Sequence, residues 1–250
     1  MDRGIWGIWY DLPLEGRDEY IDYLHGVYLP AMLRRSGYLW AAHVQNVDSP
    51  EREAANYRRL THTDDPSVPL GYRYLLLFGA EDPHVFVAHD AAADLFEEAS
   101  AEGKRLLSRR TGARSVIFAE AGRVDGPAAS LRAPGITPGP VIQFGTFNIN
   151  RLENEVEMNA WYAKSRLPLV ARGEGNLGVR RLVSIAGWPK HGILYEFVSL
   201  EVAAKNLADP SDWSRRVVDN LVHAPHSPTL GVRIWPQTNL NLPWEVPRVD

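Results

Sequence analysis

The sequence predicts an α+β protein built as two βαββαβ units in tandem on one chain. Three observations predict it. Sliding the chain on itself by 138 residues lays residues 5–47 over 143–185 without a gap, and nine of those 43 positions are identical, including Gly7/Gly145, Leu29/Leu167, Pro30/Pro168, Gly37/Gly175 and Leu39/Leu177. Chance at ordinary composition gives about two or three. Each half also repeats the same order of short aromatic or β-branched runs and amphipathic stretches. Finally, 45% of the 250 residues are hydrophobic, with 8 Trp, 10 Tyr and 7 Phe, ample for a sizeable core.

The elements follow in order. Residues 5–12 read as a strand and 17–35 as a helix, with Tyr20, Tyr23, Leu24, Val27 and Ala31 at the spacing of a buried stripe. Pro30 should end or kink that helix, and Gly37 follows as a left-handed cap. Strands at 39–47 and 73–78, a helix around 91–109 and a strand at 114–119 complete the first half. The second half gives a strand at 141–149, a helix at 155–172 carrying Pro168 and followed by Gly175, strands at 177–185 and 193–199, a helix around 212–222 and a strand at 231–235. This is the ferredoxin-like split unit, twice. Residues 1–121 form the first repeat and 141–236 the second. The stretch 122–140, with four Pro and four Gly, is the expected linker, and 237–250 a tail. Residues 48–70 form a long polar connection in the first half only, expected as a lid, a partner contact or a loose excursion.

The segments Glu19-Tyr20-Ile21-Asp22-Tyr23-Leu24-His25-Gly26-Val27-Tyr28-Leu29-Pro30 and Trp161-Tyr162-Ala163-Lys164-Ser165-Arg166-Leu167-Pro168-Leu169 resemble the first helix of the dimeric α+β barrel superfamily, with the EthD-like branch closest in pattern. The resemblance implies an eight-stranded barrel made from two ferredoxin-like sheets. These usually come from two subunits, and here both come from one chain. The family's histidine position holds Tyr28 in one half and Arg166 in the other, so no catalytic role carries over from it. The superfamily includes isomerases, polyketide cyclases, aldoxime and other lyase-type enzymes, cofactor-free monooxygenases and haem proteins. Fold alone does not choose among these reactions.

A formal net charge of −4 gives no reason to expect a nucleic-acid or anionic-membrane partner. No apolar run reaches the ~18 residues of a membrane span. The start, Met1-Asp2-Arg3-Gly4, lacks the apolar core of an export signal, so a cytoplasmic protein is expected. The chain has no cysteine, which removes thiol nucleophiles and Cys-ligated metals.

Polar residues inside apolar strands are the candidates for chemistry. A histidine can take or give a proton near pH 7, which marks His43, whose repeat mate is Arg181. His25 lies one helical turn before Tyr28 and has Ala163 as its mate. Tyr10, matched with Asn148, can hydrogen-bond a carbonyl or phenolate. His43, His25 and Tyr10 are the expected catalytic group. Trp9, Tyr28, Trp40, Arg166, Glu196 and His223 are expected to contact substrate. Each has a plainer reading: the aromatic residues as core, Glu196 as a structural ion pair with Arg180 or Arg181, and His223 as a loop residue at the barrel mouth. His223 and His226 flank Pro225 and have no nearby carboxylate, and His62-Thr63-Asp64 sits in a loop, so neither makes a convincing metal site. Gly173-x-Gly175-x-x-Gly178 follows a helix and opens a strand, the reverse of a dinucleotide fingerprint. The expected function is acid–base catalysis on a small aromatic or carbonyl-containing molecule, of isomerase, lyase or cyclase type, without metal, nicotinamide or haem. The alternatives are a cofactor-independent monooxygenase and a non-catalytic small-molecule-binding or assembly protein. A homodimer is compatible with either.

Overall fold

The structure, a computed structural model, describes residues 2–88, 100–132, 138–207 and 211–237. The strands are β1 (Gly4–Asp11), β2 (Tyr38–Asn46), β3 (Thr61–His62), β4 (Tyr74–Ala80), β5 (Thr111–Asp125), β6 (Val141–Ile149), β7 (Asn176–Ala186), β8 (His191–Phe197), β9 (Leu221–His223) and β10 (Thr229–Trp235). The first unit pairs in the order β5-β1-β4-β2 and the second in the order β10-β6-β8-β7. In each, the fourth strand lies beside the first and the second lies at the far edge. Those edges meet twice, β5 on β7 and β2 on β10, always antiparallel. Eight strands thereby close into a barrel, and neither edge is left open to other chains. The pair β3–β9 extends β6 outside the ring.

Alternation assigns every side chain to one of two faces. Ile5, Trp9, Trp40, Ala42, Val44, Leu75, Leu77, Val116, Phe118, Ile142, Phe144, Leu182 and Leu194 point into the lumen and form a single packed cluster. The barrel is therefore filled with side chains from both units. The opposite faces carry helices, with one core in each unit. Trp9 and Trp40 belong to the lumen packing. Tyr10, His43 and Tyr28 lie between the first sheet and its helices, outside the lumen.

The first helix of each unit begins as α-helix, passes through a π-helical turn and resumes. In the first unit α1 (Arg17–Tyr23) runs through Leu24–Tyr28 into α2 (Leu29–Leu33). In the second, an α-helix (Leu152–Trp161) runs through Tyr162–Arg166 into another (Leu167–Val170). The two π turns stand 138 residues apart. Each precedes the Leu-Pro pair, where proline lacks an N–H for the ordinary ladder and the chain widens instead of stopping. The wide turn shifts the buried stripe by one residue. It reads Tyr20, Leu24, Tyr28 and Met32, while Val27 and Ala31 face solvent. Gly37 (φ 86°) and Gly175 (φ 78°) take the left-handed conformation expected of caps.

The 138-residue register holds from helix to second strand but fails in the first strands. Gly7 faces the lumen, against Trp9 and Leu77, whereas Gly145 faces the helices, against Ile193. A shift of 137 restores the faces and matches Tyr10 with Phe147 rather than Asn148. One residue of slip exchanges the two faces of a strand, so the Gly7/Gly145 identity is not a structural equivalence.

Other segments differ from expectation. Residues 48–70 contain a helix, α3 (Pro50–Arg59), capped by Ser49, followed by β3. β5 continues to Asp125, inside the stretch expected as linker. The helix expected at 212–222 is α-helical only over Asp212–Val218, and His223 lies on β9 rather than in a loop. A helix over Leu200–Asn206 was not expected. Of the helix expected around 91–109, Ala101–Leu107 is seen, and 91–99 lie outside the described residues, as do 133–137 and 238–250.

Phe118 is fully buried in the shared lumen cluster. Phe118→Ala should cost about 3–5 kcal/mol in urea unfolding and should loosen both units in one transition. Two separated transitions would contradict a common lumen core.

Candidate functional site

A cavity of about 310 Å³ lies in the second unit, between the helix-facing side of β6 and β8 and the covering helices. Small-molecule pockets run from about 300 to 1,000 Å³. Phe147, Trp161, Tyr162 and Tyr195 supply aromatic walls, and Arg166 and His223 supply charge and a proton acceptor. Arg166 is buried at the end of the π turn. Its Nε donates to the Tyr195 hydroxyl at 3.0 Å, and its guanidinium lies 5.0 Å from the ring centre. The Trp161 indole N–H is buried with no acceptor among the described residues.

His223 sits on β9, where pairing with both β6 and β3 fixes its backbone. Its Nδ1 lies 3.3 Å from the Thr61 carbonyl, an acceptor that selects the Nδ1–H tautomer and leaves Nε2 as the basic nitrogen. Burial pushes its pKa down to about 4, so the ring is neutral at pH 7. Helix α3 and β3, from the connection between the first unit's strands, thus help build the wall, with Arg59 and Leu60 lining the cavity.

The matching layer of the first unit is filled. Arg110 lies 4.9 Å from the Tyr10 ring, 5.7 Å from Tyr20 and 5.8 Å from Tyr28. Its Nε donates to the Tyr20 hydroxyl at 2.6 Å. Tyr20 is bonded to Tyr10, the Tyr10 hydroxyl is 2.9 Å from His43 Nε2, and His43 Nδ1 is 2.8 Å from His25 Nε2. Arginine can only donate, so Tyr20 accepts from Arg110, and the hydrogen-bonded chain continues through Tyr10 and His43 to the half-buried His25. The three residues expected to be catalytic do come together, but none lines the 310 Å³ cavity.

The expected substrate contacts separate into three places. Arg166 and His223 share the cavity. Tyr28 joins the first unit's tyrosine cluster. Trp9, Trp40 and Glu196 are in the lumen. Glu196 is fully buried at one lumen end, where Arg180 Nε reaches it at 3.3 Å, Arg132 at 3.2 Å and the Gly139 N–H at 2.8 Å. That is the ion-pair reading. Sequence reasoning missed Trp161, Tyr162 and Tyr195 as pocket walls, because aromatic residues at helical or strand spacing read as core. Their partial unmatching with Tyr23 and Leu24 was the available signal.

Among the described residues, no three His, Cys, Asp or Glu side chains cluster as a metal site requires. Haem, carried by some proteins of this architecture, needs a slot for a four-ring macrocycle. A cavity at the low end of the small-molecule range does not fit it.

The buried histidines predict acid sensitivity. Burial pushes His43 well below its ordinary 6.5 and holds His25 and His223 at about 4. Below pH 6.5 the unfolded chain therefore takes up protons that the folded chain refuses, and stability is lost as pH falls toward about 4. Urea midpoints should be level above 6.5 and decline below it. His43→Gln, which cannot titrate, should be less stable at neutral pH and show a shallower decline. Flat midpoints down to about pH 4 would count against this account.

No family model and no curated protein sequence matches the chain. Solved structures do. An anthrone oxidase-like protein matches with a TM-score of 0.57 at 12% identity, covering 93% of this chain and 91% of that one. A candidate monooxygenase from Fusobacterium nucleatum matches at 0.56 and 10% identity, covering 93% of each chain. A dye-decolorizing peroxidase from Bacteroides thetaiotaomicron matches at 0.54 and 11% identity, covering 93% of each. No described helix is long and apolar enough to cross a membrane. Likeness over nearly the whole length, together with the closed ring of eight strands, establishes the fold: two ferredoxin-like repeats of one chain forming a dimeric α+β barrel.

Proposed function

We propose that the second unit is an enzyme site for a small aromatic molecule bearing a carbonyl or phenolate oxygen, worked by acid–base chemistry. The observation that carries this reading is the composition of the 310 Å³ cavity, where aromatic walls surround a buried guanidinium bonded to a tyrosine hydroxyl. Rings stack on Phe147, Trp161 and Tyr162. Arg166 and Tyr195 receive the substrate oxygen and stabilise negative charge as it builds there. His223, neutral at pH 7, accepts the proton that leaves the neighbouring carbon or hydroxyl through Nε2. Isomerisation, elimination and ring closure all share that step. In this reading the Tyr10–His43–His25 chain holds the first unit's layer together rather than touching substrate.

A second reading has the same anion react with dioxygen. It is supported by the likeness to an anthrone oxidase-like protein, which is a likeness of fold. Oxygen uptake during turnover separates the two readings, and binding without turnover would make the protein a carrier.

The test is a panel of aromatic ketones, phenols and aromatic acids titrated against intrinsic fluorescence, then assayed for turnover. A ligand of this site should lose quenching in Trp161→Phe. Arg166→Gln should weaken binding about tenfold or more, as loss of a charged hydrogen bond does, and His223→Gln should lower kcat with little change in binding. Ligands that bind equally well to wild type and Arg166→Gln would refute the assignment.

A further inference from the structure

The two ends of the lumen treat a buried arginine in opposite ways. At one end Arg180, only 1% exposed, meets Asp2 at 2.5 Å and Glu196 at 3.3 Å. Asp2 also accepts from Arg123 and from the Trp40 indole, and its carboxyl is held below the usual range. That charge is compensated. At the other end Arg114, only 5% exposed, lies over the Trp9 ring at 4.3 Å and has no carboxylate partner among the described residues. Its hydrogen bonds go to the Thr146 hydroxyl at 3.5 Å and the Trp188 carbonyl at 3.3 Å, both from Nη1. The Nε–Nη2 edge is left, and that edge grips a carboxylate or phosphate in two parallel bonds. Beside it is a second cavity of about 280 Å³, walled by Ser67, Val68, Pro69, Ser115 and Trp188. Ser67 is exposed, so the cavity reaches solvent.

A buried cation without a counter-charge is costly, and proteins rarely keep one unless something pairs with it. The structure assigns this end of the barrel as a second ligand site, for a small oxyanion (a carboxylate or a phosphate) held by Arg114 at the lumen mouth. The desolvation that pushes Arg114 down, to about 9, has no opposing charge to offset it, which fits a site that its ligand completes. The site is separate from the second unit's cavity, with which it shares no lining residue. It stands whether or not that cavity is catalytic.

The probes are sodium phosphate and sodium acetate, titrated by calorimetry and thermal unfolding against sodium chloride at equal ionic strength. At least one should raise Tm saturably in wild type. Phosphate alone would identify a phosphoryl ligand, and acetate alone a carboxylate. Arg114→Met should raise Kd about tenfold or more and, having removed an uncompensated charge, should melt no lower than wild type in chloride. Should that variant fail to fold, Ser67→Glu puts a competing carboxylate at an exposed position on the wall and should weaken binding likewise. Arg166→Gln controls for anion binding in the other cavity and should leave the response intact. The assignment is overturned if neither anion acts beyond chloride, if Arg114→Met and Ser67→Glu respond as wild type does, or if the response is lost in Arg166→Gln.

Discussion

Closing eight strands into a ring imposes one constraint on everything else: each strand has an inner face and an outer face, and a residue belongs to one of them. The inner faces of both units meet in a single cluster built around Trp9, Trp40, Phe118 and Phe144. That cluster leaves the lumen no room for a substrate. It also makes each unit the other's core, since neither sheet could bury that face alone. Space for a ligand then arises in the sheet–helix layers or at the ends of the lumen, where the cavities beside Arg166 and Arg114 are found.

The two sheet–helix layers share a plan and differ in what fills them. In the first, Arg110 sits among Tyr10, Tyr20 and Tyr28, and a chain of hydrogen bonds runs out to His25. In the second, Phe147 takes the place of Tyr10 and Arg166 that of Tyr28. The layer there stays open, with α3 and β3 from the first unit's inserted connection closing one side. The insertion that looked like a loop thus reaches across to the opposite unit through β3–β9 pairing and the His62 Nε2 contact to the Ser227 carbonyl at 2.7 Å. One copy serves as packing and the other holds the space, a division that a dimer of identical subunits could not make.

Much of the fold was legible because its signals are local. Short aromatic runs gave the strands, and the shared Leu-Pro and Gly pairs gave the repeat. Helix α3 was hidden by its composition: Pro50–Arg59 is polar and buries nothing, so no apolar period marks it. The site was less legible, for two reasons. Face assignment in a strand turns on a single residue of register, and the identity Gly7/Gly145 pointed to the wrong one. The roles of His43 and Arg114 also depend on what lies opposite. One histidine has partners on both ring nitrogens and the arginine has no counter-charge among the described residues, and neither fact is written in the neighbouring sequence. Arg166 and His223 were legible as polar residues out of place, but nothing local showed that they share a cavity while Glu196 does not.

The π turns also decide which way two side chains point. A π turn is an α-helix with one residue too many, and both units hold theirs at corresponding positions, Leu24–Tyr28 and Tyr162–Arg166. Each ends on a buried residue, Tyr28 in one half and Arg166 in the other. A helical residue turns about 100° from its neighbour, so the same sequence wound as plain α-helix would swing that position off the sheet. The extra residue is what delivers Tyr28 to the filled layer of one unit and Arg166 to the open cavity of the other.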